Sequence, residues 1–145
     1  MCDLNTAVSM VMIEDDEGHA RLIEKNIRRA GVNNEIIAFS TGGAALDFLL
    51  EKPASRSRKP RLILLDLNLP DMTGIDILAR IRANEHTRRL PVIVLTTTDD
   101  KREIEKCYDL GANVYIVKPL NYESFANAIR QLGLFLSVIQ IPETI

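Results

Sequence analysis

At four places in this chain a run of aliphatic residues gives way abruptly to an ionisable or hydroxyl side chain. AVSMVMI (7–13) leads into Glu14-Asp15-Asp16, LILL (62–65) into Asp66, PVIVL (91–95) into Thr96, and NVYIV (113–117) into Lys118-Pro119. A lone ionised carboxylate is expensive to bury, so an acid closing an apolar run must meet water, a cation or a metal. Three carboxylates, a hydroxyl and an ammonium are a workable set for phosphoryl transfer. Hard oxygens from Glu14, Asp15 and Asp66 suit Mg²⁺, which accepts one or two carboxylates and keeps several waters. The metal would also relieve repulsion among the acids. A carboxylate can act as nucleophile and become an aspartyl phosphate. Charge neutralisation by Mg²⁺ and Lys118, with a hydrogen bond from Thr96, would serve that step.

These residues can cooperate only if the fold brings the four run ends together. Runs as apolar as LILL read as strands buried on both faces. EIIAF (35–39) supplies a weaker fifth. The intervening segments carry helical spacing: Ala20, Ile23, Ile27 and Ala30, stopped by Gly31; Ala45, Phe48 and Leu49, before Pro53; Ile75, Leu78 and Ile81; Ile104, Cys107 and Tyr108, ended by Gly111; and Phe125, Ala128, Ile129, Leu132 and Leu136. Strand and helix thus alternate five times. That order predicts an α/β fold with a five-stranded parallel sheet and helices on both faces. In such a sheet all carboxyl ends share one edge, where ligands bind.

Composition bounds the partners. The 145 residues fit one domain, and 46% hydrophobic with 26% charged residues is the balance of a globular chain. With 18 basic and 20 acidic side chains the net charge is −2, which gives no bulk field for nucleic acid or anionic lipid. Cys2 and Cys107 have no metal-ligand or disulfide spacing and read as free thiols of a reducing compartment. The N-terminus lacks a signal peptide's basic start, and LGLFLSVIQI is too short to cross a membrane. These features predict a soluble, cytoplasmic protein. PASRSRKPR (53–61) reads as a solvated loop, and His19 and His86 as helix-surface residues not serving the site.

IEDD (13–16), LLDLNLPDMTG (64–74), VLTT (94–97) and YIVKP (115–119), in this order, resemble the receiver domain of two-component response regulators over about residues 8 to 134. The resemblance implies a flavodoxin-like (βα)₅ fold with strand order 2-1-3-4-5. It implies that Asp66 is the phosphoacceptor, with Glu14 and Asp15 as the acidic pair at the metal and the backbone carbonyl of Asn68 completing that site. Thr96 matches the switch hydroxyl, Tyr115 the switch aromatic and Lys118 the phosphate-binding lysine. The side chains of Asn68 and Thr98 match positions that tune phosphoryl lifetime. A sensor histidine kinase is the implied phosphodonor, and the regulator itself is not a turnover enzyme.

Each signal alone has an ordinary explanation: an acid at a strand end can cap a helix, and a threonine can make a turn. Their joint arrival at successive strand ends favours the site. A pseudo-receiver that is never phosphorylated would not need the complete set. A flavodoxin-like FMN carrier is the other alternative, since STGGAA (40–45) could hold phosphate at a helix N-terminus. The acidic first loop opposes it. Asp71 is expected to be turned to solvent by Pro70, which leaves no extra acid or base for a hydrolase.

The receiver is assigned to residues 1–134 and a C-terminal extension to 135–145, with no effector domain following. In the tail, Leu134, Phe135, Leu136, Val138, Ile139 and Ile141 leave few polar positions. Such a tail resembles that of single-domain regulators paired with bacterial phytochrome kinases, which implies a homodimer.

Overall fold

The computed structural model describes residues 9–50, 61–97 and 100–118, together with 123, 124, 126, 127, 130 and 131. Five strands, β1 (Ser9–Ile13), β2 (Ile36–Phe39), β3 (Arg61–Leu65), β4 (Val92–Thr96) and β5 (Val114–Val117), alternate with α1 (Glu17–Arg29), α2 (Gly42–Leu49), α3 (Gly74–Ala83) and α4 (Lys101–Asp109). All pairings are parallel, in the order β2-β1-β3-β4-β5. This is the α/β flavodoxin-like order that the resemblance implied. Residues 123, 124, 126, 127, 130 and 131 are helical, while Phe125, Ala128, Ile129, Leu132 and Leu136 of the expected fifth helix lie outside the described residues.

Strand alternation divides the core in two. Met10, Met12, Leu62, Leu64, Ile93 and Leu95 face one layer, where Leu22, Ile23 and Ile27 of α1 and Ala126 cover them. Val11, Ile13, Ile63, Leu65, Val92 and Val94 face the other, under α2, α3 and Cys107 of α4. Every residue of β1, β3 and β4 is buried, whereas β2 and β5 are half-exposed edges. Full burial of such aliphatic side chains contributes about 1.5–3 kcal/mol each. In α3 the buried set is Gly74, Ile77, Leu78 and Ile81, with Ile75 half-buried, so the helix is rolled slightly from the expected face.

Local chemistry sets the helix ends. Asp16, Thr41, Thr73 and Asp100 each accept a hydrogen bond from a backbone N–H in the first turn of α1, α2, α3 and α4 respectively. Gly31 and Gly111, at φ 87° and 96°, let the chain leave α1 and α4. Gly111 also stays small because Arg82 crosses it. That guanidinium donates to the carbonyls of Gly111 (2.6 Å), Leu90 (2.7 Å) and Arg88 (3.0 Å), tying α3 to both loops at the amino ends of β4 and β5.

Candidate metal and phosphoryl site

Three segments extend the sheet's bonding one residue past the strand ends. Glu14 N–H donates to the Phe39 carbonyl (3.0 Å), Asp66 N–H to that of Ile13 (3.0 Å), and Lys118 N–H to that of Thr96 (2.6 Å). The starting points of all three side chains are thereby fixed by the most regular part of the molecule. Ile13 and Leu65 are register partners, so Glu14 and Asp66 emerge side by side.

Glu14, Asp66 and Lys118 are all buried, at 6%, 6% and 4% exposure. Two carboxylates in so little water demand a counter-charge. The Lys118 ammonium supplies it, bonding Glu14 Oε1 and lying 3.5 Å from Asp66 Oδ2. Asn68 N–H donates to Asp66 Oδ1 (3.1 Å), which holds that carboxylate in the loop after β3. Burial and the neighbouring Asp66 push Glu14 up to about 7, against the pull of Lys118. Glu14, exposed Asp15 and Asp66 each place one oxygen within 4.8 Å of the others, a fit for one hard cation.

The raised Glu14 value makes metal-free stability depend on pH. Between the ordinary value of 4.5 and about 7 the folded chain binds the proton that the unfolded chain has released. Glu14's contribution is therefore complete below about 4.5 and is lost as pH rises through about 7. Asp16 and Asp71 are held below the usual carboxylate range, chiefly by the N–H groups of His19 and Gly43, so their contributions fade only in stronger acid. Thermal melts of wild type and Glu14→Gln in EDTA should thus diverge from pH 5 to 7.5. The variant is expected to gain on the order of 1 kcal/mol relative to wild type across that range, after discounting for solvent screening. Parallel curves would mean that Glu14 does not hold the proton.

The cleft enclosed by these groups has a volume of about 240 Å³, and Asp16, His19, Asn68 and Thr97 complete its wall. Thr96 is fully buried behind it, with Oγ1 3.4 Å from Asn68 Nδ2, while Thr97 takes the exposed position. Tyr115 stands away from the cleft on β5, half-buried and opposite Val94. Its N–H donates to the hydroxyl of Tyr108 (3.2 Å). Thr98 and the tail residues Leu134, Phe135, Leu136, Val138, Ile139 and Ile141 lie outside the described residues.

One expectation needs correction and another an addition. His19 is not a bystander, because its Nδ1 lies 3.3 Å from Lys118 Nζ. The visible signal was its place three residues beyond the Asp16 cap, which puts it over the acidic loop. Asp71 is exposed but engaged: its carboxylate accepts from Gly42 N–H (2.9 Å) and Gly43 N–H (2.8 Å). The glycine-rich turn that suggested a flavin phosphate therefore already donates to an anion of its own chain.

Residues 10–130 match the response regulator receiver domain. The chain belongs to that family. This receiver is 70% identical to a crystal structure of a response regulator receiver domain from Rhodospirillum rubrum, with a TM-score of 0.89 over 94% of this chain and 98% of that one. It is 32% identical to the response regulator Rcp1 of Synechocystis over 92% of each chain. The crystal structure of the Mn(2+)-bound form of Rcp1 superposes with a TM-score of 0.83, at 31% identity over 92% of this chain and 98% of that one. The phosphorylated cyanobacterial phytochrome response regulator RcpA gives 0.83 at 32% identity, over 92% and 97%. Receiver domains bind divalent metal at an acidic cluster of this kind, and histidine kinases phosphorylate them. Among the described residues no helix is long and apolar enough to cross a membrane.

Proposed function

We propose that this receiver accepts a phosphoryl group on Asp66 from the phosphohistidine of a sensor histidine kinase. The observation that carries the reading is the single cleft in which Asp66 meets two further acids and the Lys118 ammonium. An Asp66 oxygen forms the new bond to phosphorus as the bond to the imidazole nitrogen breaks, and the imidazole, already protonated on its other nitrogen, departs as a neutral ring. Glu14, Asp15, Asp66 and the Asn68 carbonyl would hold Mg²⁺, which when bound supplies neutralising charge for the phosphoryl oxygens. Asn68 N–H keeps the Asp66 carboxylate oriented. Lys118 turns from the carboxylates to the new phosphoryl oxygens, and Thr96 and Tyr115 carry the response outward. Asn68 and Thr98 set how long the acyl phosphate lasts. The protein catalyses its own modification and is not a turnover enzyme. Incubation with acetyl phosphate should add one phosphoryl mass that hydroxylamine removes, and EDTA should prevent it. A Mg²⁺-independent product would exclude this mechanism.

The likeness to RcpA supports a bacterial phytochrome as the cytoplasmic kinase partner. The apolar sequence of residues 135–145, with Leu134 before it, supports a homodimer. Truncation after Gly133 should convert a dimer into a monomer that still takes phosphoryl at Asp66. Light scattering decides this: an intact chain that is monomeric at tens of micromolar, phosphorylated or not, would dismiss the tail as an interface.

A further inference from the structure

The Lys118 ammonium has three protons to place. Among the described residues three acceptors surround it: Glu14 Oε1, Asp66 Oδ2 at 3.5 Å and His19 Nδ1 at 3.3 Å. Two of these belong to the carboxylates that would hold the metal. The third is a ring nitrogen outside that set, which accepts from the ammonium in the tautomer that carries its proton on Nε2.

The fold aims this ring deliberately. Asp16 caps α1 by accepting from His19 N–H (3.0 Å), which fixes the backbone of the third helical residue over the acidic loop. His19 Nδ1 also lies 4.0 Å from both Glu14 Oε1 and Asp16 Oδ2, and its side chain is 40% exposed at the rim of the cleft. Reaching Lys118 joins residues 99 apart in the chain, across the first and last of the strand ends that build the cleft.

A divalent cation held by Glu14 and Asp66 would compete with Lys118 for both carboxylates, and its charge would disfavour the ammonium beside it. His19 keeps its acceptor throughout. We propose that His19 is a positioning residue for Lys118, holding the ammonium at the cleft while metal occupies the carboxylates, so that the lysine remains within reach of the incoming phosphoryl oxygens.

The inference rests on Asp66 being the phosphoacceptor, and the test separates the two. Full-length wild type, Asp66→Asn, His19→Leu, His19→Asn and Lys118→Ala, with the double variant His19→Leu/Lys118→Ala, are labelled with acetyl phosphate at saturating Mg²⁺. Calorimetry gives the Mg²⁺ affinity of each. His19→Leu should slow labelling roughly tenfold, the loss expected for one hydrogen bond to a charged group, with Mg²⁺ affinity changed by less than about twofold. Asparagine places an oxygen near the position of Nδ1, so His19→Asn should recover most of the rate. On the Lys118→Ala background, His19→Leu should cost nothing further. The inference is overturned if the leucine variant labels at the wild-type rate, if both His19 variants are equally slow, or if the double variant is slower than Lys118→Ala alone. Wild type that takes no label, or Asp66→Asn that labels normally, overturns the underlying reading before any His19 variant is compared.

Discussion

Asp66→Asn should take up no hydroxylamine-labile phosphoryl group, with residual labelling below about a hundredth of wild type. The amide matches the carboxylate in size and can still accept the Asn68 N–H, which now binds Oδ1 at 3.1 Å. Its oxygen carries no full charge, and an amide is a poor nucleophile toward phosphorus. The loss cannot be blamed on unfolding. Removing one of two adjacent buried acids leaves Lys118 paired with Glu14, so the variant should melt no lower than wild type. Intact mass after acetyl phosphate treatment reads the first expectation and a thermal melt reads the second. Labelling at the wild-type level would place the nucleophile elsewhere, whatever the melt shows.

Gly74→Ala should lower stability by about 2 kcal/mol, although helix propensity alone points the other way by about 0.5–1 kcal/mol. Gly74 opens α3 in ordinary backbone geometry, so no strained φ is involved. The obstacle is space: an added Cβ would lie 2.6 Å from Leu67 Cα and 2.8 Å from the Asp66 carbonyl oxygen. Two of the atoms in the way are backbone atoms and cannot swing aside. The loop carrying Asp66 would have to move, which should also slow labelling at temperatures where the variant is folded. Gly42→Ala is the useful contrast. Its Cβ would meet Ile77 Cδ1 and Met72 Cγ at 2.6 Å, side-chain rather than backbone atoms, and its cost should be smaller. Denaturant melts of the two variants check the order. Equal stability of Gly74→Ala and wild type would mean that the loop yields at no cost.

Runs such as LILL and VIVL announced their strands because parallel central strands are buried on both faces and need no polar alternation. EIIAF gave the weaker signal because β2 is an edge strand that stays only half-buried. The acids, the threonine and the lysine at the strand ends were legible for the same reason: a parallel sheet aligns its carboxyl ends whatever the loops do. What the order of residues concealed were contacts made through space. Asp71 reaches the N-terminus of α2 from 29 residues away, and Pro70 says nothing of where that helix starts. Lys118 meets His19 only because β1 and β5 deliver their loops to one edge. Arg61 opens β3 as a buried cation over the Phe48 ring, 4.3 Å from its centroid, where the pattern alone called for an exposed loop residue.

The contrast between the buried central strands and the half-exposed β5 has a mechanical meaning. Asp66 and Glu14 hang from β3 and β1, whose amides can be freed only by opening the whole sheet. Tyr115 belongs to a rim strand whose outward N–H leans on the Tyr108 hydroxyl, from a helix that buries only Cys107 among its described side chains. Displacing that rim costs a fraction of global unfolding. The receiver thus hangs its acidic cleft from the stiff centre of the sheet and sets Tyr115 on the rim that yields.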